Sequence, residues 1–170
     1  MRVLPWPTFM SMQLRLDFKR RGLQLASLDV GKKHIGVAIS DPSHSFSSPL
    51  TIIQRKEPRM SAEAIASLSK SLRHIATEYR VSGFVVGLPV MDDGTITPFC
   101  REIMKLLENI EFQENSNEIS ATLWNERHSS IDARALINQF STKRNVVLKN
   151  KDTVAAALIL QGYLDKINGL

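Results

Sequence analysis

Two short apolar runs, Leu25–Val30 and Ile35–Ser40, stand on either side of the turn-like Gly31-Lys32-Lys33, and this arrangement constrains the fold more than anything else in the sequence. It predicts a strand, a tight turn and an antiparallel return strand. Inside the first apolar run sits a carboxylate, Asp29. Burying its charge costs several kcal/mol, of order 3 to 5, unless something pairs with it. Asp29 therefore has either a partner or a chemical task. One reading makes it an acceptor for hydrogen bonds within its own turn; the other makes it functional, and this segment alone leaves both open. Gly31 and Gly36 remove side chains nearby, which lets a backbone or a phosphate approach closely.

The rest of the chain supplies further elements. Pro49–Gln54 reads as a third strand. Ser61 offers an N-cap to a helix whose apolar positions, Ile65, Leu68, Leu72, Ile75 and Tyr79, share one face. Ser82–Gly87 is apolar enough to be a central strand, and it leads into a loop closed by Asp93-Gly94. Pro98 suits the first turn of a second helix carrying Phe99, Ile103, Leu106, Leu107 and Ile110. Ile119–Asn125 reads as a fifth strand, followed by a short helix with Ile131, Ala135 and Leu136. An Ala-rich apolar helix from Asp152 to about Ile167 should then lie buried across the sheet. Three meandering strands followed by two βα crossovers predict an α/β fold, a five-stranded mixed sheet with helices on both faces.

If strands one, four and five are parallel, their carboxyl ends lie along one edge, where open α/β sheets place their sites. Asp29 and Glu126 fall at that edge, and Asp152, at the start of the last helix, can reach it. In isolation Glu126 fits an ion pair with Arg127, and Asp152 fits a charge favoured by a helix N-terminus. Together they would be three separate accidents at one place. Clustered carboxylates keep a proton or bind a cation. The single cysteine and scattered histidines leave hard oxygen ligands, which point to Mg²⁺ or Mn²⁺ and to phosphodiester hydrolysis.

The lone Cys100 also excludes an intrachain disulfide and a cysteine-based zinc site. A length of 170 residues suits one domain with a full core. No apolar run approaches the roughly 18 residues of a membrane span. Most of the net charge of +5 lies in residues 1–22, where Arg2, Arg15, Lys19, Arg20 and Arg21 face Asp17 alone. That segment reads as a flexible extension ahead of a domain over residues 23–170, or as part of an organelle-targeting peptide. The expected compartment is accordingly the cytoplasm, or a chloroplast or mitochondrion in the second case. Within the domain, Arg127, Arg134, Lys143, Arg144, Lys149 and Lys151 form a basic segment suited to phosphate contact or to plain solvation.

The hairpin Leu28-Asp29-Val30-Gly31-Lys32-Lys33-His34-Ile35-Gly36-Val37-Ala38 resembles the signature of the YqgF family, also called RuvX. Three further stretches match in order: Val85-Val86-Gly87-Leu88-Pro89 with Asp93-Gly94-Thr95, then Glu126-Arg127, then Asp152-Thr153-Val154-Ala155-Ala156-Ala157 with Ile159-Leu160-Gln161. The resemblance covers roughly residues 23–167. It implies an RNase H-like fold and a nuclease acting in ribosomal RNA precursor processing or on Holliday junctions. Asp29, Glu126 and Asp152 become the metal-binding catalytic set. Lys32, Lys33, His34, Arg127, Lys143, Arg144, Lys149 and Lys151 are the expected nucleic-acid contacts. The expected partner is RNA precursor or branched DNA, with a homodimer also compatible. His34, Met91 and Asn125 depart from the family pattern, which usually has Arg, Asn and Asp there. Two rivals are an actin-type ATPase, for which the chain is too short, and a non-catalytic binding module of the same fold. A scaffold role in ribosome assembly is a third.

Overall fold

The computed structural model describes residues 1–5, 7–9, 22–55, 61–91, 95–112, 119–125 and 151–169. Its strands are β1 (Arg2–Leu4), β2 (Gln24–Val30), β3 (His34–Ser40), β4 (Ser47–Gln54), β5 (Val81–Leu88) and β6 (Ser120–Asn125). Its helices are α1 (Ala62–Glu78), α2 (Pro98–Asn109) and α3 (Lys151–Asn168). The strands form one six-stranded sheet in the order β1-β6-β5-β2-β3-β4. The pairs β2–β3 and β3–β4 are antiparallel, whereas β2–β5, β5–β6 and β1–β6 are parallel. The meander and two crossovers predicted from sequence are therefore present, and the carboxyl ends of β2, β5 and β6 share one edge.

Local signals set the helix starts. Ser61 accepts a hydrogen bond from the Ala64 N–H at 3.2 Å, and Thr97 accepts one from the Cys100 N–H at 3.1 Å with Pro98 at the first helical position. Both satisfy amides that a helix leaves unpaired. The helices then divide between the two faces of the sheet. On one face, Leu68, Leu72 and Ile75 of α1 and Ile103, Leu106 and Leu107 of α2 pack on Ala26, Leu28, Val30, Val37, Phe84 and Val86. On the other, Ile159, Leu160, Tyr163 and Leu164 of α3 pack on Leu25, Val85 and Trp124. Alternation along each strand sends neighbours to opposite faces, so Leu25, Ser27 and Asp29 look towards α3.

The sheet has one strand more than sequence predicts, and the extra strand lies within residues 1–22, the segment read from sequence as an extension. Arg2–Leu4 pair in register with Ser120–Thr122 at the outer edge of β6. Phe9 is fully buried and meets Tyr163 edge-on, with ring centroids 6.1 Å apart. Its ring occupies the space a Cβ on Gly83 would need: such an atom would stand 2.5 Å from Phe9 Cζ. The charge count over this segment hid the short apolar run Val3–Leu4 and the isolated Phe9. Residues 10–21, and the expected short helix at Ile131, Ala135 and Leu136, lie outside the described residues. No described helix is long and apolar enough to cross a membrane.

Candidate active site

Asp29 and Asp41 sit near the two ends of the same hairpin and show what each environment does to a carboxylate. Partial burial pushes the Asp41 pKa up. Its oxygens accept from the Ser45 and Phe46 N–H groups, both at 2.7 Å, and from Ser43, and these bonds more than offset burial and hold it below the usual carboxylate range. Asp41 is thus the aspartate that serves its own turn. Asp29 has no such support: no described residue donates a hydrogen bond to its carboxylate. Burial, and then the negative charge of Asp152, push its pKa up to about 6.

Gly36 explains how a helix residue comes so close. It pairs with Asp29 across the β2–β3 ladder. A Cβ at Gly36 would stand 2.0 Å from the Asp152 carbonyl oxygen, so only glycine admits the first turn of α3 against the sheet. The close approach expected near Gly36 is therefore made by the backbone of α3. Three polar side chains hold the helix at that depth. Ser27 Oγ donates to the Ala156 carbonyl at 2.6 Å, and Ser47 Oγ donates to the Ala157 carbonyl at 2.7 Å. Gln161 accepts from the Ser47 N–H at 2.9 Å and donates to the Ser45 carbonyl at 3.0 Å. Ser27 is two residues before Asp29 on the same face, so the bond that seats the helix also sets the depth of Asp152 beside Asp29.

The expected site residues divide in two. Asp29, Asp152, Lys32, Lys33, His34 and Lys151 are described and gather at the carboxyl edge of β2 and the start of α3. Lys32, Lys33 and Lys151 are exposed. His34 turns towards the acids, with Nδ1 3.5 Å from Asp152 Oδ2. Glu126, Arg127, Lys143, Arg144 and Lys149 lie outside the described residues. The strand leading to Glu126 is described as far as Asn125, which is half-buried and in register with Leu88 of β5. Sequence reasoning missed Arg55, whose side chain reaches the Gly31 carbonyl at 2.9 Å and Glu102 at 3.3 Å. No motif marks it, since an arginine closing a strand is an ordinary surface residue in sequence.

Asp29, which has no hydrogen-bond donor among the described residues and is held up to about pH 6 by burial and the charge of Asp152, is an unfavourable neighbour for Asp152 when both are ionised. Hard oxygen donors so placed fit a divalent cation such as Mg²⁺ or Mn²⁺. Among the described residues they do not reach a group of three metal-ligating side chains.

The sequence matches the RuvX family, described as Holliday junction resolvase, over residues 23–166. The chain belongs to the RuvX family. It is 35% identical over 146 residues to a protein of Ruegeria pomeroyi, covering 86% of this chain and 88% of that one. A protein of Thermoanaerobacter pseudethanolicus is 36% identical over 144 residues, covering 84% and 96% of the two chains. Both carry the name "Putative pre-16S rRNA nuclease". Among solved structures, T. thermophilus RuvC in complex with a Holliday junction substrate matches with a TM-score of 0.60 over 86% of this chain and 94% of that one. At 10% identity this likeness concerns the fold, and it agrees with the RNase H-like expectation. In this RuvX chain the departures from pattern have visible settings. His34 stands beside Asp152, and Met91 is 56% exposed while its N–H closes the loop onto the Thr95 carbonyl at 3.1 Å.

Proposed function

We propose that this RuvX chain is a metal-dependent nuclease that hydrolyses phosphodiester bonds of ribosomal RNA precursor. The observation that carries the reading is the facing pair Asp29 and Asp152, seated together by Gly36 with no donor among the described residues to the Asp29 carboxylate. Glu126, immediately after β6, completes the set as the third oxygen ligand. Mg²⁺ or Mn²⁺ held by these carboxylates would activate a water and stabilise the leaving oxygen. The protein's part is to hold the carboxylates ionised and fixed. Asp29 is held by its ladder pairing with Gly36, next to the Leu28–Val86 pair, and Asp152 by the seating of α3. Lys32, Lys33 and His34 on the turn, Arg127 after β6, and Lys143, Arg144, Lys149 and Lys151 ahead of or on α3 neutralise phosphates.

The names of the relatives favour the RNA substrate, and the description of the family favours branched DNA as the second reading. The test is cleavage of a labelled rRNA-precursor fragment and a four-way DNA junction, with Mg²⁺ or Mn²⁺, by the wild type, Asp29→Asn and Asp152→Asn. Cleavage by the wild type should fall by about a thousandfold or more in each variant. The substrate cut faster then decides between RNA and DNA. Binding without cutting, unchanged by either substitution, would make the chain a non-catalytic binding module. A second copy of the chain as partner is a separate proposal, read from the sedimentation of the intact protein.

A further inference from the structure

Arg55 directly follows β4, yet its side chain is only 8% exposed. Its backbone N–H donates to the Lys33 carbonyl at 2.8 Å. Its Nη1 donates to the Gly31 carbonyl at 2.9 Å, and its Nη2 to Glu102 Oε1 on α2 at 3.3 Å. The turn closes on itself through the Gly31 N–H and the His34 carbonyl, 2.9 Å apart. A single arginine thus holds two carbonyls of the Gly31–His34 turn and ties them to a helix on the opposite face from α3. Glu102 balances a guanidinium that would be costly to bury alone. The planar fork matters, because it aims separate N–H groups in fixed directions at the two acceptors, which a flexible ammonium does not reproduce.

We propose that Arg55 is a positioning residue of the active site. It braces the turn so that Lys32, Lys33 and His34 stand ready beside Asp29 to receive the phosphates of bound nucleic acid. The proposal rests on the nuclease reading above. A turn ordered before binding spares the complex the entropy of ordering it. Asp29 itself is held separately, by its pairing with Gly36 and by the neighbouring Leu28–Val86 pair. Loss of Arg55 should therefore weaken substrate binding and leave turnover nearly intact.

The experiment compares full-length Arg55→Met, Arg55→Lys and Lys32→Ala/Lys33→Ala, and the combination of Arg55→Met with both lysine substitutions. Amide hydrogen exchange at residues 31–34 is measured alongside KM and kcat on the rRNA-precursor fragment. Arg55→Met should speed exchange at Gly31 by about tenfold or more. It should raise KM by about tenfold, with kcat changed less than about twofold. With both lysines gone it should raise KM much less, since the brace acts mainly through them. Arg55→Lys should fall between, and it carries the same comparison if Arg55→Met does not fold. Unchanged exchange, an equal KM effect without the lysines, or a fall in kcat alone would each overturn the proposal. A wild type that cuts no nucleic acid would instead sink the nuclease reading, while the exchange measurement still decides whether Arg55 orders the turn.

Discussion

The two faces of the sheet are built from different chemistry. Under α1 and α2 the core contact is apolar, with Leu28, Val37, Phe84 and Val86 against Leu72, Ile103 and Leu107. Under α3 an apolar patch around Leu160 and Tyr163 gives way, towards the carboxyl edge, to Ser27, Gly36 and finally Asp29. Apolar burial is strong but has no direction. It can hold a helix against a sheet without fixing its depth or sliding position. Hydrogen bonds from Ser27 and Ser47 to particular carbonyls of α3 do fix these, because each requires its own distance and angle. The first face stabilises the molecule, and the second places two carboxylates.

The largest effect on stability should come from the apolar face. Leu72 is fully buried there, and Leu72→Ala should cost about 2–5 kcal/mol in denaturant unfolding. The pKa of Asp29, followed by NMR, should stay near its wild-type value. A pKa that moves with this substitution would break the division between the faces.

Gly36→Ala should come next, at about 3 kcal/mol, because its methyl group must displace the backbone of Asp152. Here the site should suffer more than the fold. As the start of α3 moves off, the repulsion from Asp152 weakens and the Asp29 pKa drops towards the ordinary value of 3.8. An Ala variant with wild-type cleavage and an unmoved Asp29 pKa would show that the close approach is unnecessary.

The smallest effect has the opposite sign. Asp29 titrates near 6 in the folded chain against 3.8 ordinarily, so the folded state binds more protons across that window. Stability should therefore decline as pH rises from about 4 to 6 and stay level above it. Asp29→Asn removes this loss. Without metal, it should exceed the wild type by about 1–2 kcal/mol at pH 7, a figure reduced for partial solvent screening. Parallel stability curves for the two proteins between pH 4 and 7 would mean the carboxylate is not strained as described.

Much of this was legible in the amino-acid order. Ser61 and Pro98 mark helix starts through local hydrogen bonding and a fixed φ, and the hairpin declares itself through two apolar runs and a short turn. The same order flagged Asp29, because a carboxylate within an apolar strand is costly wherever the strand ends up. The largely apolar Ser82–Gly87 announced a strand buried on both faces, as β5 is over most of its length. These signals act over a few residues, so they survive without knowledge of the fold.

What the tertiary structure alone decided involves partners distant in sequence. Nothing near Arg2–Leu4 says that these residues will pair with Ser120–Thr122, and nothing near Phe9 says that Gly83 will make room for its ring. Arg55 looks like any arginine after a strand until the turn before it and Glu102 beyond it close around the guanidinium. Asp29 and Asp41 are the same residue type on the same hairpin. Only packing made one a satisfied turn acceptor and left the other facing Asp152. The sequence determined which groups could do chemistry, since that depends on their bonds and charges. Their protonation and mutual distance depend on desolvation and on long-range contacts, and those exist only once the chain has folded.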